Sequence, residues 1–290
     1  MSKYYCLIAG LPHVSLDDTK LISSVADFKQ EVNSVLSDFD RHLINWFYLK
    51  YDNRNLLQYV RKDAKEDFDE RGVFSMEEIA ALCDLLKNED RIPVDIQTPA
   101  YIVAFIREYF ACLDAEESID WNMMEDKLSA LYFEAAIGCG NEFLSSWFEM
   151  NLNIRNILCA LNCRKYGLSM ERYIIGNNEI AVYLRHAGTR ELYFGNETVY
   201  LTELTQIIEE KDTMEREKRL DLLRWKWLDA HSFYKTFDFE AVITHIICLE
   251  MLERWLQLDK VLGEKTFRKL VFEMKKESAV TLNEFKEKNK

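Results

Sequence analysis

The chain has few of the residues that make tight turns, with only 9 glycines and 3 prolines among 290 residues. A β-sandwich or β-barrel needs a turn about every 8 to 12 residues, so this scarcity argues against both folds. Apolar residues instead recur with the helical period along most of the chain. The sequence therefore predicts an all-α fold.

Long hydrophobic runs are also missing. The longest segment without a charged residue, 4–16, is 13 residues long and contains Pro12 and His13, whereas a bilayer span needs about 20 apolar residues. Its apolar part, 4–11, is short and precedes no small-residue cleavage site, so it does not resemble a secretory signal. We expect no membrane span and a cytoplasmic location.

Basic residues are outnumbered by acidic ones: the chain has 37 Lys and Arg and 50 Asp and Glu, which gives a net charge of −13. A protein that neutralises nucleic-acid phosphates needs clustered cations, so we expect no nucleic-acid partner. Apolar residues make up 48% of the chain and charged residues 30%. This balance is typical of a folded protein with a sizeable core.

Common catalytic motifs are absent from the sequence. Neither of the frequent glycine-rich phosphate-binding loops occurs. The five histidines are scattered, and for His245, on an apolar helix, we favour a core role. Cys159 and Cys163 share one helix face, yet no second Cys or His pair lies nearby, so buried thiols are favoured over a metal site. We expect no metal, no cofactor and no enzymatic activity.

Local signals predict several element boundaries. Ser75 and Glu78 form the pattern of a capping box, and Thr98 followed by Pro99 is typical of a cap before a proline at the first helical position. Two stretches are candidates for extended structure. These are 4–11 and 180–201, the second a possible hairpin, although helix or loop is favoured for most of it.

A repeated segment is the feature that is not generic. Residues 46–57, WFYLKYDNRNLL, align without a gap to residues 147–158, WFEMNLNIRNIL, at an offset of 101 positions with five identities. A weaker third copy places Leu249, Arg254 and Leu256 at equivalent positions, and there Trp255 replaces the asparagine. The motif residues are Trp46, Asp52, Arg54, Asn55, Trp147, Asn153, Arg155, Asn156, Arg254 and Trp255.

The motif predicts a helix whose apolar edge packs inward and whose central polar group bonds helix ends of the same repeat. A binding site is the alternative interpretation of these polar residues. We favour the structural interpretation, because a group repeated once per subdomain more readily maintains the subdomain than performs chemistry.

This arrangement resembles the C-type subunit of the bacterial and archaeal V/A-type rotary ATPases, the counterpart of the eukaryotic d-type subunit, in which a similar helical motif recurs around a pseudo-threefold axis. More closely, the whole chain looks like an uncharacterised bacterial family encoded among V-type ATPase genes. The segments that carry the resemblance are 4–12 (YYCLIAGLP), 47–56 (FYLKYDNRNL), 215–221 (EREKRLD), 223–225 (LRW) and 249–255 (LEMLERW).

The resemblance implies an internally repeated, elongated or bowl-shaped body with repeats at 1–97, 98–200 and 201–290, the last being degenerate and followed by a tail. It also implies a non-catalytic component that links the central shaft to the proteolipid ring, peripheral to the inner face of the plasma membrane. The alternative function is a helical adaptor or scaffold for other cytoplasmic partners. An enzyme with an unrecognised site ranks third.

Overall fold

The computed structural model describes residues 4–62, 68–88, 97–115, 118–187 and 199–258. All regular structure in these ranges is helical, which confirms the predicted all-α class. The twelve helices of the described part are α1 Tyr5–Ala9, α2 Val25–Val35, α3 Asp38–Arg61, α4 Met76–Lys87, α5 Ala100–Asp114, α6 Trp121–Ile137, α7 Glu142–Tyr166, α8 Met170–Tyr173, α9 Glu179–Ala187, α10 Val199–Ile208, α11 Thr213–Ser232 and α12 Phe239–Gln257.

The chain divides into two compact units. One unit is Gln30–Lys235, and the other combines Met1–Lys29 with Thr236–Lys290. The division into repeats at 1–97, 98–200 and 201–290 stays a prediction.

The larger unit is built around two long helices, α3 and α7. In it α3 packs against α4 and α6, α7 packs against α6, α8 and α9, and α10 packs against α11. Its core is aliphatic and aromatic, because α3, α4, α5, α6 and α7 each bury apolar side chains. Large side chains with almost no exposure are Leu43, Ile44, Tyr48, Phe105, Ile106, Leu128, Leu144, Leu152, Ile154, Ile157, Leu184 and Leu204.

The smaller unit brings the N-terminal segment against the start of α12. The Tyr4 amide donates to the Phe237 carbonyl at 3.2 Å, and the rings of Tyr5 and Phe237 lie 4.8 Å apart. Phe28 is buried, and its ring centroid is 5.0 Å from that of His245.

The two long helices begin and end in similar ways. Ser37 caps α3 by accepting from the Asp40 amide, and Asn141 caps α7 by accepting from the Leu144 amide. Each helix ends at a residue in the left-handed conformation, Lys62 after α3 and Gly167 after α7. Both helices are therefore bounded by local signals, with lengths of 24 and 25 residues.

The capping box at Ser75 is confirmed. The Ser75 hydroxyl accepts from the Glu78 amide, and the Glu78 carboxylate accepts from the Ser75 amide at 2.7 Å. The predicted role of Thr98 is wrong, because Pro99 itself is the N-cap of α5, with extended backbone at φ −57° and ψ 134°. No side chain caps that helix.

The expectation of extended structure at 4–11 is wrong, since residues 5–9 form α1. The Ile8 amide donates to the Tyr4 carbonyl at 3.0 Å, which is the hydrogen bond of a helical turn. A short apolar run has no periodicity that separates a strand from a helix. In the second stretch, residues 180–187 and 199–201 are helical as favoured, and 188–198 lie outside the described residues.

Candidate functional site

The polar centre of the α3 motif holds the segment that leads into α4. The Asp52 carboxylate, almost fully buried, accepts from the Val73 amide at 2.7 Å and from the Phe74 amide at 2.9 Å. These two residues directly precede Ser75, the N-cap of α4. Because backbone amides are obligatory donors, a buried carboxylate at this point satisfies two of them at once.

Asn55 makes a second attachment to the same segment. Its Nδ2 donates to the Asp69 carbonyl at 3.0 Å, and its Oδ1 accepts from the Asp69 amide at 2.9 Å. The side chain of Asn55 has no exposed surface. One amide group thus pairs with both polar groups of a single backbone residue, an arrangement that we call an amide clamp.

The segment held by Asp52 passes very close to α3. A Cβ atom placed on Gly72 lies 2.4 Å from Oδ1 of Asp52, so only glycine fits here without movement of the carboxylate. On the same segment, burial opposes ionisation of Asp69. Hydrogen bonds from Arg71 outweigh that effect and lower the pKa of the Asp69 carboxyl below its ordinary value.

The α7 motif contains an equivalent amide clamp. Asn156, also without exposed surface, donates from Nδ2 to the Ile175 carbonyl at 2.8 Å and accepts from the Ile175 amide at 3.1 Å. Asn153 accepts from Nδ2 of Asn178 at 2.7 Å, and the Oδ1 of Asn178 in turn accepts from the Ala181 amide in α9. The segment that leads into α9 is therefore held by α7, as the segment before α4 is held by α3.

In the first two copies, the polar group at the centre of the motif bonds the segments that lead into α4 and α9. Every one of the four buried positions, Asp52, Asn55, Asn153 and Asn156, is paired within the protein. Buried polar groups that are fully satisfied rigidify a core and fix one arrangement of its elements. The arrangement supplies a structural link between helices.

The arginines of the motif have different surroundings. Arg54 is exposed on α3. Arg155 forms an ion pair with Asp126 of α6 and donates to the Tyr173 carbonyl at 3.3 Å. Burial raises the pKa of Asp126 in spite of this partner. Arg155 thereby joins α6 and α7 to the last residue of α8.

The weaker third copy lies on α12, in the smaller unit. Leu249 is buried there, whereas Arg254 is exposed and Trp255 is partly exposed. The Arg254 guanidinium lies 5.7 Å from the Trp255 ring centroid. The chain that follows α12 is outside the described residues, so whether this copy holds a following helix stays a prediction.

The two motif tryptophans differ in how much of their surface is buried. Trp147 is buried, and its ring centroid is 5.7 Å from that of Trp227 on α11. Trp46 stacks on Tyr101 at 6.3 Å, and its carbonyl accepts from the Tyr132 hydroxyl at 2.9 Å, but it keeps a partly exposed face. That face borders a cavity.

The cavity lies between α3, α4 and the start of α5 and has a volume of about 500 Å³. We call it the α3 cleft. Most of its lining is apolar, with Trp46, Leu49, Phe74 and Ile102 among the contributors. Polar lining comes from His42, Asn45, Asp52, Glu78, Gln97 and Thr98. The sequence patterns did not predict this cleft, although one signal was present: His42 stands at the position that Phe143 holds in α7.

Burial shifts the pKa of several groups that are not part of the cleft lining. Burial lowers the pKa of His245 to about 4, and burial together with the neighbouring Cys163 raises the pKa of Cys159 to about 11. Over the described residues, no group of three or more His, Cys, Asp or Glu side chains is arranged to hold a metal ion. In the same ranges, none of the helices has the length and apolar character needed to cross a membrane.

No curated protein matches this sequence. The profile of the family described as "Protein of unknown function (DUF2764)" matches residues 1–278. Because that match covers nearly the whole chain, the protein belongs to the DUF2764 family.

Proposed function

We propose that the protein is a non-catalytic coupling component of the central stalk of a V/A-type rotary ATPase, linking the central shaft to the proteolipid ring. The observation that carries the proposal is the pair of motif helices with their buried amide clamps at Asn55 and Asn156. The motif containing these asparagines resembles the repeated motif of the C-type subunit of those ATPases.

The chemistry of the clamps suits a part that transmits torque. A coupling component must not let its helices slide when force is applied at one end. Backbone groups paired to a buried side chain resist such sliding, because separation leaves desolvated donors and acceptors without partners. In this proposal the chain is attached to the inner face of the plasma membrane indirectly, through the ring.

Affinity purification of the tagged full chain from gently solubilised native membranes tests this function. The eluate is analysed by mass spectrometry and assayed for ATP hydrolysis, and the tag alone is carried through the same steps as the control. We expect recovery of catalytic, shaft and proteolipid subunits in a fixed ratio. Recovery of the chain alone, or with unrelated proteins, contradicts the proposal.

The second candidate function is a helical adaptor that binds another cytoplasmic partner. The α3 cleft favours it, because an apolar recess with a partly exposed tryptophan has the aromatic and apolar character common at protein–protein interfaces. A stoichiometric partner that is not an ATPase component, recovered in the same purification, supports the adaptor instead.

A further inference from the structure

Two cysteines lie one turn apart on α7. Cys159 and Cys163 are spaced four residues apart within the continuous helix Glu142–Tyr166, so their side chains leave the same face of that helix. Cys163 is buried, and Cys159 is half-buried. Neither cysteine takes part in the amide clamp at Asn156 or lines the α3 cleft.

The two thiols interact with each other. Burial is the main cause that raises the pKa of Cys159 to about 11, and Cys163 adds to this effect through its charge and through a hydrogen bond. The Cys159 thiol also donates to the Tyr173 carbonyl at 3.5 Å. The two sulfurs therefore lie within reach of each other, beside the last residue of α8.

A direct disulfide does not suit this spacing. Side chains four residues apart on a helix have Cβ atoms about 5–6 Å apart, whereas a disulfide needs about 3.5–4.5 Å. Oxidation of the pair would require α7 to unwind at this point. One ion held by both sulfurs fits the intact helix, because two metal–sulfur bonds of about 2.3 Å each join sulfurs up to about 4.6 Å apart.

We propose that Cys159 and Cys163 form a two-thiolate site for a soft monovalent cation of the copper(I) class. Thiolates select soft ions, and copper(I) is satisfied by two of them. Structural zinc takes four ligands, and calcium and magnesium take oxygen ligands. Over the described residues no third His, Cys, Asp or Glu joins the pair, which restricts the site to ions of low coordination number.

The surroundings suit the charge of such a complex. Binding forms two copper–sulfur bonds and releases the two thiol protons to solvent, which leaves a complex with a net charge of −1. Arg155, one turn before Cys159, favours negative charge on that sulfur more strongly than Asp126 disfavours it. The Tyr173 carbonyl loses the Cys159 donor on binding but keeps Arg155, whose Nη1 lies 3.3 Å away. Binding therefore leaves this backbone acceptor paired.

Copper retention by the full reduced chain tests the site. The protein is loaded with copper(I) in the absence of oxygen, and 2-mercaptoethanol, a monothiol, is then added in steps. Copper that stays on the chain is measured after each step by gel filtration. A monothiol strips single cysteines first, because two thiols fixed on one helix bind together about 100-fold or more tightly than one alone. We expect one resistant copper ion per chain.

Three variants locate the resistant copper. Cys159→Ser and Cys163→Ala each remove one ligand, so we expect the copper to be stripped at a monothiol concentration lower by about 100-fold or more. Cys112→Ser, at a half-buried cysteine on α5, is the matched control and is expected to keep the resistant copper. Matching melting temperatures check that the variants fold. Cys159→Ser alone decides the test if Cys163→Ala does not fold.

Three results overturn the proposal. They are no resistant copper on the unsubstituted chain, resistant copper that remains in Cys159→Ser, and equal loss in Cys159→Ser and Cys112→Ser. X-ray absorption of the loaded chain adds a fourth test, in which we expect two sulfur neighbours around the copper. Oxygen or nitrogen neighbours contradict a site made of the two thiolates. None of these outcomes depends on the ATPase role, because the site uses only α7 and its immediate contacts.

Discussion

The helices α3 and α7 carry the same motif in different surroundings. In both, a buried asparagine pairs with the amide and the carbonyl of one residue in the segment before the next helix. Around α7 the outer face is closed by α11, and around α3 it borders a cleft. The inward contacts of the motif are therefore the same in α3 and α7, because in both they pair buried backbone groups. The burial of the outer face differs, because α11 packs on α7 and a cleft borders α3.

The largest expected difference between the two copies concerns the tryptophans. Trp147→Ala removes a buried ring and is expected to lower the free energy of unfolding by about 3–5 kcal/mol. Trp46→Ala removes a partly exposed ring and is expected to cost about 1–2 kcal/mol. Urea unfolding of both variants measures the two losses. Equal losses would contradict the difference in cover.

The clamps give the next largest effect. Asn156→Ala leaves the buried amide and carbonyl of Ile175 unpaired, so we expect a loss of about 2–4 kcal/mol. Asn55→Ala is expected to cost about 1–3 kcal/mol, because Asp69 is only partly buried and water replaces part of the lost pairing. Chemical denaturation measures both. Asn122→Ala, at an exposed position on α6, is the control and is expected to stay within about 0.5 kcal/mol.

In the two segments held by α3 and α7, glycine is required for different reasons: a close contact at Gly72 and a positive φ at Gly176. Gly72→Ala drives a methyl group into the Asp52 carboxylate and is expected to cost about 1–3 kcal/mol. Gly176 has a φ of +77°, so Gly176→Ala adds backbone strain, at a cost of about 1–2 kcal/mol. Gly138→Ala is the control, because its added Cβ has ordinary contacts and its φ is −84°.

A double variant shows whether the clash at Gly72 is the cause. Combined with Asp52→Ala, the Gly72→Ala change is expected to cost less than it does alone, because the carboxylate is gone. Thermal unfolding of the two single variants and the double variant gives this coupling. Additive losses would show that the clash with the Asp52 carboxylate is not what destabilises Gly72→Ala.

The burial of His245, on α12, is tested by pH. Burial lowers the pKa of His245 from 6.5 to about 4, so the folded protein holds the imidazole neutral where the unfolded chain protonates it. The unfolded state then binds more protons between about pH 6.5 and 4, and stability is lost as the pH falls through that window. His245 is expected to account for about 1–2 kcal/mol of the stability lost in this window, after allowance for its partial exposure. In His245→Leu, urea unfolding at pH 6.5 and pH 4 is expected to show that this part of the loss has disappeared.

Periodicity and capping chemistry predicted much of this fold from the sequence. The all-α class and the capping box at Ser75 both follow from local residue patterns. Two local predictions failed for local reasons: a proline does not specify which of two cap positions it occupies, and a short apolar run carries no period.

The remaining features depend on contacts between segments that are distant in the sequence. Asn55 clamps a residue 14 positions away and Asn156 one that is 19 positions away. Because the two spacings differ, the sequence does not indicate which backbone residue each asparagine pairs with. The cover of Trp147 by Trp227 and the opening beside Trp46 arise from how whole helices pack. The only sequence signal of the cleft is the exchange of Phe143 for His42 between the two copies.

Hydrogen exchange at two backbone amides tests the central claim that both motif copies perform the same structural work. In the unsubstituted chain the amides of Asp69 and Ile175 are expected to be protected, since each donates to a buried asparagine. Asn55→Ala is expected to remove protection at Asp69 alone, and Asn156→Ala at Ile175 alone. Unchanged protection at either amide after loss of its asparagine would contradict the claim.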